Sequence, residues 1–459
     1  MWTVKRRLLR VWKTTQAFVA SVIWGFPGRK LRVVGVTGTD GKTTTVHLIV
    51  KALESAGYTV GAVSTIRYQV GTRVWTNTSK LTTPGPWELQ KLLAHMIRAG
   101  CHYVVLECSS HRLDQGGLWG IPFDVAVITN ITREHFDYHR NFDDYARAKR
   151  RLFMALHHPP KILPFRSGID RGGRVPTVAV ANLDDERARG MLTEMAERRY
   201  GFTVGGTTNP ERLAAELNLA ILTAQSVGGT PSGFPGTIPP PLYLVRAGEE
   251  EALLRVQLPG RVNLANALAA IAVGIALDIP LAQLTRELSE VDRIPGRMDT
   301  VAVRQPFTVL VDYAVTPAAF SALYEELGKW KAPQAQLLHV FGAAGERDRG
   351  KRPLLGELAG KHADLVILTD EDPYQEDPEQ ILRDLEAGVV AAGKIRGESL
   401  LRIRDRRLAI REALRRARPG DIVLVTGKGA EETMAVGQRR IPWNDRAVIT
   451  EELHVRSDA

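Results

Sequence analysis

Residues 31–50, LRVVGVTGTDGKTTTVHLIV, constrain what this 459-residue chain can fold into more than any other stretch. The β-branched run Val33, Val34 and Val36 reads as a buried strand. A glycine turn breaks it, and residues 43–53 then take up the apolar spacing of a helix. Strand, glycine turn, Gly-Lys-Thr and helix in that order make a phosphate cradle, in which backbone N–H groups and the positive end of a helix face an anion. Gly38 and Gly41 let the backbone approach without a Cβ in the way, with Thr39 and Asp40 between them. Lys42 is placed for the β- and γ-phosphates, and Thr43 or Thr44 offers a hydroxyl to Mg²⁺. The strict eight-residue pattern wants glycine where Val36 stands, yet the context on both sides is right. The expected ligand is a nucleoside triphosphate, ATP.

The length allows two or three domains, and 44% hydrophobic with 24% charged residues is a globular composition. A formal charge of +10 suits anionic ligands. The arginines are dispersed rather than interleaved with aromatics in one strip, so nucleic acid is not the expected partner. Cys101 and Cys108 show neither metal-ligand spacing nor a disulfide framework, which fits a reducing cytoplasm. Residues 1–30 combine Lys5, Arg6, Arg7, Arg10 and Lys13 with Trp2, Trp12, Phe18 and Trp24. Their uncharged part is too short to span a bilayer, and no cleavage-site pattern marks a signal peptide. Two readings stand: a basic helix making peripheral membrane contact, or a helix packed on the protein's own surface.

Residues 31–292 alternate strand-like and helix-like runs, with strands expected at 58–64, 103–108, 125–130 and 175–181 and a helix at 263–276. That alternation argues a mostly parallel sheet with helices on both faces. Residues 228–241 form a proline-glycine loop, and 292–297 read as a linker. Short buried strands follow at 309–313, 337–341, 365–369 and 422–426, while the arginines of 402–418 read as the solvated face of a helix. The fold expected is α/β: a basic aromatic segment (1–30), a central P-loop ATPase domain with a mostly parallel sheet (31–294), and a C-terminal Rossmann-like α/β domain (295–459).

Several residues stand where chemistry is placed. Glu107 ends an apolar strand, the usual position of a Mg²⁺-holding acid beside a phosphate loop. The strand ending at Thr129 and Asn130 leads to His135 and Asp137 at the same sheet edge. In the next helix Phe142, Tyr145, Lys149, Leu152 and Leu156 share one apolar face. A lysine there either snorkels to the surface or is buried and driven toward its neutral form. A neutral lysine can take up CO₂ as a carbamate, which turns a cation into a metal ligand. The segments GERDRGKR (345–352) and VTGKGAEE (425–432) are basic, flexible, strand-end loops suited to anions.

With these residues in place, the chain from residue 31 onward resembles the Mur ligase family, and within it the members that add the third residue of the cell-wall peptide. The segments that carry the likeness are GVTGTDGKTTT, LTTPGPWELQ, ECSSHRLDQG, TNITREHFDYH, YARAKRRLF, LPGRVNLANALAAIA, IPGRMD, VDYAVTP, FGAAGERDRGKRPL, DEDPYQEDP, GKGAEE and IPWNDR. The resemblance implies a cytoplasmic ligase that uses ATP and Mg²⁺ to join a free amino acid to a muramoyl-peptide precursor through an acyl phosphate. It implies that Gly38, Thr39, Asp40, Gly41, Lys42, Thr43 and Thr44 bind ATP phosphates. Asn266 (or Asn263) would meet adenine, and Arg297 and Asp312 would reach ATP from the second domain. Thr43, Glu107, His135 and a carbamylated Lys149 would hold metal, with Lys42, Lys149 and His135 catalytic. Thr82, Thr83, Ser110 and Gln115 would contact the muramoyl peptide, and Arg347, Asp372, Tyr374, Gly427 and Glu431 the incoming amino acid.

Three departures bear on substrate. The family's uridine-gripping N-terminal domain is replaced here by thirty residues, so weak discrimination for the uridine diphosphate is expected. Val315 stands for the histidine of VDYAHTP. The family's DNPR reads Glu371-Asp372-Pro373-Tyr374, which leaves L-lysine and meso-diaminopimelate both open, with Asp372 and Glu431 as partners for a side-chain ammonium. Other readings are a ligase of lipid-linked precursor or folate-type polyglutamate, and a non-catalytic muropeptide sensor.

Overall fold

The computed structural model describes residues 2–79, 81–132, 134–135, 138–159, 161–164, 173–193, 196–207, 209–228 and 240–457. Asp137 and most of the 228–241 loop lie outside them. The described residues form two compact units, residues 2–228 with 240–292, and residues 293–457. The architecture is α/β, with a large, mostly parallel sheet in the first unit and a separate α/β sheet in the second.

In chain order the first unit contains α1 (Trp2–Ile23), β1 (Arg32–Thr37), α2 (Lys42–Ser55), β2 (Val60–Val63), α3 (Pro86–Arg98), β3 (Tyr103–Glu107), β4 (Val125–Ile128), α4 (Phe142–Met154), β5 (Val178–Asn182), β6 (Arg198–Thr203), β7 (Ala220–Gly228) and α5 (Arg261–Ala276), among shorter pieces. The strands pair in parallel in the order β7-β6-β5-β4-β1-β3-β2. β1 is central, and its residues from Val33 to Thr37 are buried, as a continuous apolar run between two helical layers requires. Leu152 and Phe153 of α4 join Phe123, Ala126 and Ile128 in one core.

Antiparallel strands extend both edges, Arg67–Val70 and Arg73–Thr76 beyond β2, and Leu242–Ala247 and Glu250–Arg255 beyond β7. Sequence periodicity does not disclose them, because edge strands carry polar residues such as Arg67, Gln69, Arg246 and Glu251 among the apolar ones. Register decides what meets at the sheet's C-terminal edge. Val36 lies opposite Glu107 and Thr37 opposite Ile128, so the phosphate loop, Glu107 and Thr129 emerge together. Cys101 and Cys108 are both buried and share no disulfide.

The second unit contains β8 (Thr308–Asp312), β9 (Leu337–Phe341), β10 (Leu365–Leu368), β11 (Leu400–Arg402), α6 (Arg406–Arg416), β12 (Ile422–Thr426) and α7 (Asp445–Ser457). These strands pair in parallel in the order β8-β12-β9-β10-β11, and the two-residue strand Asp299–Thr300 pairs antiparallel beyond β8. One expectation needs correction here: the arginines of 402–418 are not all solvated. Arg406 is fully buried and grips Asp445 at 2.8 and 2.7 Å while donating to the Thr426 carbonyl at 2.8 Å. Its spacing puts it on the inward face with Ala409, Ile410 and Ala413, and the long-range pair with α7 supplies the counter-charge that lets an arginine stay there. This fork ties the end of β12 to both helices.

Breaking a buried pair by removing one partner leaves an uncompensated charge and costs roughly 3–5 kcal/mol. Asp445→Ala should therefore lower the denaturant midpoint of the second unit by that order, and the double replacement Arg406→Met with Asp445→Leu should recover most of it. Circular dichroism during guanidinium unfolding measures both, and a neutral Asp445→Ala would show that the fork contributes nothing.

Candidate functional site

The phosphate loop sits at the C-terminal edge of β1 and is clasped from two sides. Gly38 and Gly41 have φ of 149° and 80°, values that L side chains resist. A Cβ on Gly38 would stand 1.9 Å from the Thr129 hydroxyl oxygen, and one on Gly41 2.2 Å from Asn266 Oδ1. Thr129 Oγ1 donates to the Asp40 carbonyl at 2.6 Å, and Asn130 Oδ1 accepts from the Asp40 N–H at 2.9 Å. From α5, Asn266 Oδ1 accepts from Thr45 at 3.2 Å, while its amide donates to Asn263 at 3.1 Å. In this structure Asn266 thus props the loop. α2 begins directly after Gly41, which has no side chain to cap it, so its first N–H groups face the loop's concavity.

Glu107 is the buried anion of the site. It accepts from the Thr43 hydroxyl at 3.1 and 3.0 Å, from the Thr65 N–H at 2.7 Å and from the Thr65 hydroxyl at 2.9 Å. Lys42 Nζ donates to the Thr39 carbonyl at 2.6 Å, and Thr44 is buried one residue beyond Thr43. Among the described residues, no three His, Cys, Asp or Glu groups converge as a metal cluster. Mg²⁺ bound with a nucleotide takes one or two carboxylates together with phosphate oxygens and water. A buried carboxylate beside the Gly-Lys-Thr hydroxyl is such a donor set, so Glu107 and Thr43 fit the ion. His135 has a left-handed φ of 59°, its Nε2 3.6 Å from Glu134 and its ring 4.7 Å from that of His111.

Lys149 is 1% exposed, and its amine donates to the carbonyl of Gly38. It does not snorkel. Burial, and then the nearby Lys42, push its pKa well below the ordinary lysine value against the weaker pull of Glu134 and Asp40. Its Nζ lies 4.3 Å from the centre of the Tyr145 ring, and the Tyr145 hydroxyl sits 3.1 Å from Thr39 Oγ1 and donates to Glu134 at 3.2 Å. Tyr145 and Thr65 were not singled out from sequence. Tyr145 stands four residues before Lys149 on the same face, which is a usable signal; Thr65 follows a strand with nothing to mark it.

The residues expected at the muramoyl peptide divide by exposure. Thr83 is buried, donating to the Glu107 carbonyl at 2.7 Å and accepting from the Ser109 N–H at 3.0 Å, so it shapes the strand end. Ser110 is also buried, its hydroxyl 3.0 Å from His139 Nε2. Thr82, whose hydroxyl accepts from Thr65 at 3.2 Å, and Gln115 are partly exposed.

In the second unit, five charged residues gather at strand ends. Lys428 is fully buried and holds Asp372 at 2.9 and 3.0 Å, and it also pairs with Glu431. The expected pairing of Asp372 and Glu431 with a substrate ammonium is therefore corrected: an internal lysine already answers both carboxylates. Sequence could not show this, since Asp372 and Lys428 are 56 residues apart. Glu371 is buried and its carboxyl is raised by desolvation, against Lys351 and Arg406. Gly427, at φ 108°, leaves it room, since a Cβ there would meet Glu371 Oε2 at 2.4 Å. Lys351 donates to the carbonyl of Val315 at 2.9 Å. The Arg347 guanidinium is exposed over the Tyr374 ring at 5.9 Å. Asp312 accepts from the N–H groups of Met298 and Ala314, both at 2.7 Å, and Arg297 lies 5.0 Å from the Tyr313 ring centre.

Comparison with known proteins gives consistent matches over both units. Residues 36–274 match the family profile described as Mur ligase middle domain, and residues 296–429 that described as Mur ligase, glutamate ligase domain. A protein of Roseiflexus sp. (strain RS-1), named UDP-N-acetylmuramyl-tripeptide synthetase, is 42% identical over 433 residues, covering 94% of this chain and 80% of that protein. A UDP-N-acetylmuramoyl-L-alanyl-D-glutamate--2,6-diaminopimelate ligase of Synechococcus elongatus is 38% identical over 439 residues, 94% of this chain and 78% of that one. A solved structure of a ligase with the same name as the latter matches with a TM-score of 0.57 and 29% identity, over 93% of this chain and 79% of that chain.

The end of β12 also gives a pH dependence. His339, on β9, is buried with Nδ1 2.6 Å from the Tyr324 hydroxyl and Nε2 2.9 Å from Thr426 Oγ1. Burial, and then Arg406, lower its pKa to about 3. The unfolded chain then binds the extra proton first, so stability is full above about pH 6.5 and falls as pH drops toward 3, by up to roughly 4–5 kcal/mol. His339→Asn, which cannot titrate there, should flatten that part of the acid limb in denaturant titrations. An unchanged limb would assign it to other groups.

Proposed function

This chain belongs to the Mur ligase family, and from that premise we propose that it joins meso-diaminopimelate to a muramoyl-dipeptide carboxylate. It is an ATP-dependent ligase of peptidoglycan precursors. The observation that carries the acyl-phosphate chemistry is the buried Lys149 amine on the Gly38 carbonyl, at the loop whose Gly-Lys-Thr hydroxyl bonds Glu107.

The chemistry follows from the chain's own groups. A carboxylate is a poor electrophile, so moving the γ-phosphoryl group onto it gives an acyl phosphate, which an amine then attacks with release of phosphate. Loop N–H groups and Lys42 offset the charge of the transferring group. Thr43 and Glu107, with His135, would hold Mg²⁺, which would supply further charge neutralisation at the phosphates. Lys149 is depressed toward the neutral amine, the form that adds CO₂ with loss of a proton to give a carbamate. The result is an anionic oxygen donor at the loop. Thr82, Ser110 and Gln115 stand for contacts to the muramoyl peptide.

The amino acid is argued from the second unit. Lys428 bonds both Asp372 and Glu431, and a side-chain ammonium is common to L-lysine and meso-diaminopimelate, so these acids do not choose between the two. Arg347, exposed over Tyr374, is the cation a second carboxylate would meet. That contact supports meso-diaminopimelate over L-lysine, as do the names of relatives such as the Synechococcus ligase.

Turnover with ATP, UDP-N-acetylmuramoyl-L-alanyl-D-glutamate and a panel of amino acids tests this directly. Diaminopimelate should be preferred, with Arg347→Ala reducing that preference by about tenfold or more. A large preference for L-lysine would overturn the assignment, and no product with any amino acid would overturn this choice of acceptor.

Lys149→Met keeps the volume and removes the amine, so it should stay folded while acyl-phosphate formation, trapped with hydroxylamine, falls about 10²-fold or more. A small carboxylic acid in excess should restore part of the activity of Lys149→Ala. Full activity in either variant without added acid would refute the role.

A further inference from the structure

Helix α1 has two unlike faces. The inner face is bolted to the first unit, with Arg6 bonding to Asp114 at 2.6 Å and also to Asp144, while Ala17 and Ala20 are buried. The hydroxyls of Thr14 and Ser21 sit so close to Gly116 and Gly120 that a Cβ on either glycine would stand 2.2 or 2.4 Å away. This packing fixes which side faces out. On the outer side Val4, Leu8, Val11, Val19 and Val22 recur at helical intervals and, with Trp12, form one stripe, each 41–65% exposed. Trp87, which is 50% exposed at the start of α3, shares a cleft of about 510 Å³ with Trp12.

The charge carried by residues 1–30 has one sign. Residues 1–30 contain seven lysines and arginines and no acidic residue. Arg7 is exposed on α1 beside the stripe, and Arg29 and Lys30 are exposed just beyond its end. A second copy seated on this face would set cations against cations, which opposes self-association. An apolar stripe with tryptophans and flanking cations instead complements the acyl boundary and the phosphates of an anionic lipid surface. No described helix is long and apolar enough to cross a membrane, so α1 can lie on a bilayer but not span it.

We propose that this face of the first unit docks on anionic lipid membrane, with α1 parallel to the bilayer plane, Trp12 and Trp87 at the headgroup level, and Arg7, Arg29 and Lys30 at the lipid phosphates. The proposal does not depend on which amino acid the enzyme adds.

Flotation of the full chain with vesicles provides the test. The protein should float with phosphatidylcholine–phosphatidylglycerol vesicles and not with phosphatidylcholine alone, and partitioning should fall at least roughly tenfold in high salt. Acyl-chain-brominated lipid should quench the protein's tryptophan fluorescence in the anionic vesicles only. Leu8→Glu/Val11→Glu/Trp12→Glu should abolish flotation while ATP turnover in solution is kept. Arg7→Ser/Arg29→Ser, at two exposed positions, should weaken flotation at least roughly tenfold as well. Absence of flotation with anionic vesicles would overturn the proposal, as would equal flotation of the charge variant. A dimer in solution that the triple variant dissolves, with no lipid binding, would assign the face to a second copy instead.

Discussion

Every functional placement in the first unit depends on the hydrogen-bond ladder that β1 shares with its two parallel neighbours. Because Val36 is held opposite Glu107 and Thr37 opposite Ile128, the glycine loop, a carboxylate and the Thr129–Asn130 pair leave the sheet side by side. A slip of one residue would exchange the faces of β1 and carry Glu107 away from Thr43. The ladder is secure because both faces are apolar: Phe123, Leu152 and Phe153 press on one side, and α2 covers the other. Catalytic geometry here is a by-product of strand register, set by packing that touches no ligand.

Within that frame the buried cations divide by what answers them. Lys428 and Arg406 meet carboxylates, Asp372 with Glu431 and Asp445, which hold them in place. Lys149, among the described residues, meets a neutral carbonyl and the face of a tyrosine ring. A charge without a counter-charge in a close-packed interior is unstable, so this amine is biased toward the uncharged, nucleophilic state. The same burial that makes Lys428 a structural bolt makes Lys149 chemically available.

Sequence disclosed the parts of this arrangement whose signals are local. The strand–turn–helix of residues 31–50 and the inward stripe of Tyr145, Lys149 and Leu152 are patterns of spacing, and spacing survives without a structure. The strands at 337–341 and 422–426 coincide with β9 and β12 for the same reason. What stayed hidden is non-local. The bond of Thr65 to Glu107, Lys428 between its acids and Arg406 paired with Asp445 each join segments dozens of residues apart. The antiparallel edge strands were missed because their polar residues blur the alternation that reveals a half-buried strand. For residues 1–30 the two sequence readings concern different sides of one helix, and the packed side is the one the fold settles.

The clasp of α5 on the phosphate loop reaches beyond the finished molecule. Asn266 Oδ1, which stands over Gly41, also accepts from Thr45, and those partners are 221 residues apart along the chain. During synthesis at about 5–20 residues per second, the loop emerges from the ribosome roughly ten to forty seconds before the helix that completes it. Over that interval the nascent nucleotide cradle lacks one wall. Translation speed through the intervening stretch therefore sets how long an unfinished site is exposed to chaperones and proteases, a cost of drawing one pocket from the two ends of a domain.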